Sequence, residues 1–224
     1  GINAEYGDMT EKKLIAFDLD GTLIDSLPSI CKCLNQTLLE FNLPQKSNEE
    51  LRLLVGYGAQ YLVEQASAHA NNCAEILQSY QQKLTKETEI IKFFPGIEEL
   101  LKKLKLKHFI AIISNKPQVA LQKFENMQLF DKVIGVSDQN PPKPNVKMVD
   151  ELRKICPNII LVGDTDVDYQ CALNAKIDFV ICSYGFRSVE ELKKYGVHNS
   201  QMVHTVEELD ILLNQKYIQS RTLR

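Results

Sequence analysis

Leu14-Ile15-Ala16-Phe17-Asp18-Leu19-Asp20-Gly21-Thr22-Leu23-Ile24-Asp25-Ser26 is the stretch whose reading decides the fold. Its first four residues are apolar without polar alternation, the pattern of a strand buried on both faces. Asp18 and Asp20 follow, two residues apart. On extended backbone, side chains two apart project to the same side, so both acids would stand together at the carboxyl end of that strand. Like charges held that close are unfavourable, and a hard divalent cation such as Mg²⁺ offsets the cost. Taken alone, an Asp-x-Asp-Gly after an apolar run also reads as a polar turn.

Working outward, the arrangement recurs. Residues 109–113 run into Ser114-Asn115-Lys116, and residues 159–162 run into Gly163-Asp164-Thr165-Asp166. Weaker strand candidates lie at 133–136, 179–181 and 202–203. Between them the spacing predicts helices over 97–106, 118–127, 146–155, 167–175, 189–195 and 206–213. Ile97, Leu100, Leu101 and Leu104 carry the i, i+3, i+4, i+7 stripe most clearly. Strands alternating with helices imply an α/β fold, a Rossmann-like parallel sheet covered by helices on both faces. Ligands of such sheets bind at the carboxyl ends of the strands, where all three polar clusters fall. Residues 26–91 break the rhythm, reading as helices over 27–41, 48–54, 59–70 and 73–87. An interval of about 65 residues is far longer than ordinary connections. The expected organisation is therefore a discontinuous core domain, residues 1–24 and 92–224, interrupted by a helical cap domain of residues 25–91. The cap begins just after the first acidic cluster and should stand over the strand ends.

Asp164 precedes a helix and is a candidate third carboxylate for a cation site. Thr165-x-x-Asp168 fits a capping box, so Asp168 has a structural reading beside a functional one. Asp166 reads as a solvent-facing residue of the first helical turn. Ser114 and Asn115 offer a hydroxyl and backbone N–H groups at a helix N-terminus, suited to anionic oxygens, and read equally as a plain helix cap. Lys143 lies in the stiff segment Pro141-Pro142-Lys143-Pro144. Its meaning depends on the other three clusters.

Together and in this order, the four segments resemble the haloacid dehalogenase (HAD) superfamily of phosphohydrolases. The stretch Phe17–Ser26 matches the superfamily signature almost letter for letter; Ser114-Asn115-Lys116, Lys143-Pro144 and Gly163–Asp168 supply the remaining motifs. The resemblance runs from about Lys12 to Leu213, and Val55-Gly56-Tyr57-Gly58-Ala59 makes it most similar to the phosphoglycolate phosphatase branch. It implies that Asp18 is a nucleophile forming an aspartyl-phosphate, and that Asp20 protonates the departing alkoxide and then activates water. It further implies Mg²⁺ on Asp18, the backbone carbonyl of Asp20, and Asp164. Ser114 and Asn115 would hold phosphoryl oxygens, with Lys143 countering their charge as a catalytic and phosphate-binding group. Asp168 would support the metal or orient Lys143, and Thr22 would help at the phosphate site by orienting Asp20. Gly56, Tyr57 and Gly58, with Gln60 and Tyr61, are the expected cap specificity residues. The substrate implied is a small phosphorylated metabolite, phosphoglycolate first among them. An acid at Asp20 suits an alkoxide leaving group, whereas a halide or carbon leaving group needs no proton there. One departure is Ala175-Lys176-Ile177, where relatives commonly carry a glycine after the helix.

Composition narrows the alternatives. The chain has 224 residues with 26 basic and 29 acidic side chains, a net charge of −3, which argues against broad nucleic-acid binding. No apolar run approaches the roughly 18 residues of a membrane span. Residues 1–11 are polar and lack a secretory signal's pattern; Met9 reads as a candidate start, with residues 1–8 either a non-native remnant or a frayed extension. Six dispersed cysteines read as free thiols of a cytoplasmic protein. A phosphomutase of the β-phosphoglucomutase type would share all four motifs, but the loop Gly56-Tyr57-Gly58 lacks the nearby arginine expected for sugar phosphates. A receiver-type signalling domain also pairs an Asp acceptor with Mg²⁺ and lysine, but in a shorter chain without a helical insertion. The oligomeric state is not legible.

Overall fold

Leu14–Phe17 forms strand β2 at the centre of a six-stranded parallel sheet. The computed structural model describes residues 6–215 and 217–219. Beside β2 lie β3 (Phe109–Pro117) and β5 (Ile159–Gly163); β4 (Lys132–Val136), β6 (Asp178–Cys182) and β7 (Met202–Val203) complete the order β4-β3-β2-β5-β6-β7. Every pairing in this sheet is parallel. The period-2 geometry of strands splits each one between two cores. Ile15, Phe17, Ile110, Ile112, Ile160 and Val162 face the helices α5 (Ile97–Lys105), α6 (Gln122–Glu125) and α10 (Val206–Asn214). Leu14, Ala16, Ala111, Ile113, Ile159 and Leu161 face α7 (Lys147–Arg153), α8 (Asp166–Ala175) and α9 (Val189–Lys194). The apolar runs are unalternated because both faces are covered.

Helices α1 (Leu27–Glu40), α2 (Asn48–Arg52), α3 (Ala59–Ala66) and α4 (Cys73–Glu87) pack around a third core of their own, with Ile30, Leu34, Leu38, Leu51, Leu62 and Ile76 inside. Phe186, from the loop after β6, is inserted into this core. The chain leaves the sheet and returns to it side by side: Ile24 bridges Phe93 antiparallel, Asp25 N–H donates to Lys92 O at 2.9 Å, and Phe94 N–H donates to Leu23 O at 2.9 Å. No helix among the described residues is long and apolar enough to cross a membrane.

Several local expectations change. The single helix over 118–127 is a 3₁₀ turn, Gln118–Leu121, followed by the short α6. The Gln118 side chain is used instead to hold the edge strand, accepting from Gly135 N–H at 2.6 Å and donating to Val133 O at 3.1 Å. Helix α3 stops at Ala66, because Ala68 and His69 turn into the left-handed region at φ 51° and 56°. Tyr6–Asp8 (β1) is a strand paired antiparallel with Tyr217–Gln219 (β8), not a frayed extension. After α8, Lys176 adopts φ 55° without the help of a glycine.

Candidate active site

The sheet's parallel sense brings the ends of β2, β3 and β5 together. Asp18 leaves β2 with its backbone N–H bonded to Val162 O at 2.8 Å, still in register with β5. The chain then folds tightly: Leu23 and Ile24 N–H groups both return to Leu19 O at 2.9 and 3.1 Å, with Gly21 at φ 87°. A Cβ on Gly21 would stand 2.3 Å from Asp164 Oδ2, so only glycine lets this turn pass the carboxylate.

Asp18, Asp164 and Asp168 each offer a carboxylate oxygen, all within 4.8 Å of one another. Lys143 reaches them from the loop after β4, donating to Asp168 Oδ1 at 2.7 Å and Asp18 Oδ1 at 3.1 Å. Its side chain is only 2% exposed. Desolvation works against the ammonium, but Asp168 and Asp18 outweigh it and its pKa is raised. Three carboxylates against one ammonium leave two negative charges. Burial, then repulsion from Asp168, pushes Asp164 up to about 6 and raises Asp18 well above the carboxylate range. A hard divalent cation fits this deficit. Asp168 is already engaged at both oxygens: Oδ1 accepts from Lys143, and Oδ2 accepts from the N–H groups of Asp164 (3.0 Å) and Thr165 (3.2 Å) and the Thr165 hydroxyl (3.3 Å). The capping box and the functional reading of Asp168 thus hold together, one on each oxygen. A Cβ on Gly163 would lie 2.2 Å from Asp168 Cγ, so the strand end is shaped around this carboxylate.

Asp20 stands apart from the trio. Its Oδ1 accepts from the Ser26 hydroxyl at 2.5 Å, and Lys116 Nζ lies 3.6 Å from Oδ2. The Thr22 hydroxyl donates to Asp164 Oδ1 at 2.9 Å; it does not orient Asp20, and Ser26 does. Thr22 is fully buried behind the carboxylate and is absent from the cavity wall. Ser114 and Asn115 do not cap a helix, because β3 continues through both to Pro117. Ser114 Oγ accepts from Lys116 N–H at 3.0 Å. The Asn115 carboxamide clamps two loops, donating to Gly56 O and Lys143 O, both at 3.0 Å, and accepting from Lys143 N–H at 2.8 Å.

A cavity of about 530 Å³, its open mouth included, lies between the strand ends and helices α1, α3 and α4. Asp18, Asp20, Ser114, Asn115 and Lys116 line one side, with Gly56, Gly58 and Tyr80 among those on the other. Three expected cap residues do not line it. The Tyr57 hydroxyl donates to Asp166 Oδ2 at 2.5 Å, Gln60 opens onto a separate depression, and Tyr61 is exposed. Asp166 is accordingly not solvent-facing: it also accepts from Arg187 Nε at 3.2 Å. The sequence reading passed over Lys116, Tyr80 and Arg187. Lys116 carried a signal, standing two residues beyond Ser114 on the same strand side. Arg187 carried none, since its partners are fixed only by tertiary contact.

The sequence profile of the haloacid dehalogenase-like hydrolases matches residues 15–182. The chain belongs to this family. A phosphoglycolate phosphatase of Colwellia psychrerythraea is 31% identical over 210 residues, covering 84% of this chain and 92% of its own. One from Rhodobacter capsulatus is 33% identical over 186 residues, covering 77% and 85%. Among solved structures, a protein of Lactobacillus delbrueckii subsp. bulgaricus named for the same activity superposes with a TM-score of 0.81 at 25% identity, covering 91% of this chain and 98% of its own. This HAD-like hydrolase is a phosphatase, a phosphoric monoester hydrolase of the phosphoglycolate phosphatase-like branch.

Proposed function

We propose that this HAD-like phosphatase is a Mg²⁺-dependent cytoplasmic enzyme that hydrolyses a small phosphomonoester, 2-phosphoglycolate foremost, through an aspartyl-phosphate on Asp18. The observation that carries the reading is the pairing of Asp18 and Asp20 on one cavity wall with different partners. Asp18 is bonded by Lys143 and crowded by Asp164 and Asp168, whereas Asp20 is held by Ser26 beside Lys116. Two carboxylates in unlike surroundings suit a nucleophile and a proton donor.

In this reading Asp18 Oδ attacks phosphorus and the ester oxygen leaves with the proton from Asp20. Asp20 then takes a proton from the water that cleaves the acyl phosphate. Lys143 balances charge at Asp18 throughout, and Asn115 fixes the Lys143 backbone. Ser114 and the Lys116 ammonium face the phosphoryl and leaving-group oxygens. Asp18 and Asp164, with the Asp20 backbone carbonyl, would hold Mg²⁺, which supplies positive charge against the phosphoryl oxygens. Residues 25–91 serve as a cap domain on the core of residues 1–24 and 92–224, closing water out. The cytoplasmic assignment is supported by six cysteines outside any disulfide, five of them buried.

Hydrolysis is favoured over sugar-phosphate transfer because no arginine lines the cavity among the described residues. The two arginines beside the Gly56 loop are engaged elsewhere: Arg187 with Asp166, Arg52 O and Val55 O, and Arg52 with Glu49, Glu191 and Phe186 O. Release of inorganic phosphate from a panel of esters, with Asp18→Asn as the comparison, tests the reading. Expected is Mg²⁺-dependent release by the natural protein and loss of at least about a thousandfold in Asp18→Asn. Undiminished turnover in the variant, or isomerisation of sugar phosphates without phosphate release, would overturn it.

A further inference from the structure

The wall of the cavity that α1–α4 contribute is apolar, with one exception. Ile30, Val55, Ala59, Leu62 and Leu84 line it together with Tyr80, one turn before Leu84 on α4. Tyr80 is 2% exposed, yet no described residue hydrogen-bonds its hydroxyl. Among the described residues, the side-chain oxygen or nitrogen sealed from solvent without a partner is Asn140 Oδ1; the Tyr80 hydroxyl is therefore not sealed, and the cavity is where it opens. A buried hydroxyl left without a partner is costly, and here a ligand could supply one. Burial, then the charge of Asp20, raises the phenol's pKa, so it remains a neutral donor. The facing wall carries one cation, Lys116, whose ammonium lies 3.6 Å from Asp20 Oδ2.

Resting on the reading of Asp18 as nucleophile, we infer that Tyr80 determines specificity: its hydroxyl donates to a second oxygen of the leaving group, beyond the ester oxygen that Asp20 protonates. Lys116 makes that oxygen an anionic one. In the 2-phosphoglycolate of that reading, the oxygen belongs to the carboxylate. A sugar's many hydroxyls would find no partners along the rest of this wall and are selected against.

The test compares the natural protein with Tyr80→Phe on 2-phosphoglycolate and on ethyl phosphate, in which a methyl group replaces the carboxylate. Because the hydroxyl bonds nothing in the protein, Tyr80→Phe should keep its Tm. Expected is a preference for 2-phosphoglycolate of at least about tenfold in kcat/KM by the natural protein. Tyr80→Phe should raise KM for 2-phosphoglycolate about tenfold, with kcat and both constants for ethyl phosphate within about twofold. Equal effects on the two esters, or no effect on either, would overturn the role of Tyr80. A natural protein indifferent to the carboxylate would overturn the assignment of that oxygen. Failure of the underlying reading is separately visible, as continued hydrolysis of ethyl phosphate by Asp18→Asn.

Discussion

The Tyr57 hydroxyl donates to the Asp166 carboxylate at 2.5 Å, across the seam between the helical segment and the sheet. The other oxygen of Asp166 accepts from Arg187, which also donates to Arg52 O at 3.0 Å and Val55 O at 2.8 Å. Arg52 returns the contact by bonding Phe186 O and Glu191, both at 2.7 Å. The helical segment is thus fastened beside the cavity by two arginines that cross in opposite directions.

Arg187 is 1% exposed, and Asp166 is its one anionic partner among the described residues. Asp166→Ala strands a buried guanidinium and is expected to cost about 3–5 kcal/mol. Tyr57→Phe removes one hydrogen bond and should cost about 1 kcal/mol. Urea unfolding of the two variants checks the order; equal, small losses would contradict it.

Mg²⁺ should stabilise the protein whether or not substrate is present. At a concentration a hundred times its dissociation constant, a ligand specific to the folded state adds about 2.7 kcal/mol. Thermal melts with and without Mg²⁺ should show this shift in the natural protein and lose most of it in Asp164→Asn, where Thr22 can still donate to Oδ1. A shift of the same size in both would place the cation elsewhere.

His108 Nδ1 accepts from Lys13 N–H at 3.1 Å, just before β3. Burial first, then Lys13, Lys107 and Lys12, hold its pKa below the ordinary 6.5. The folded state therefore binds this proton less readily than the unfolded one. Its contribution to stability is complete above pH 6.5 and is lost as the pH falls through the lower folded value. Denaturant midpoints measured from neutral pH downward should decline in the natural protein and decline less in His108→Gln, which can accept the same bond without titrating. Parallel declines would sink the assignment.

The sheet and the gathering of polar residues at its rim were legible because strand ends announce themselves: an unalternated apolar run followed by Asp18, Ser114 or Asp164 fixes both a buried strand and the rim where its polar residues gather. Helix lengths were less legible where a side chain had a tertiary task, as with Gln118 on the edge strand, or where the backbone reversed without glycine, as at Ala68. The partners of individual side chains were the least legible. Thr22 and Ser26 lie four residues apart in one loop, and only the fold decides that the first serves Asp164 and the second Asp20. Tyr80 carries no signal in the sequence, because nothing there records that its hydroxyl opens onto a cavity.

The bridge between Ile24 and Phe93 has a consequence for how such a chain changes. Both crossings leave the sheet at one point and are hydrogen-bonded to each other, so lengthening either crossing alone would slip their register and displace every residue that hangs over Asp18. A change of length would have to be matched in both crossings for the helical segment to stay over the cavity.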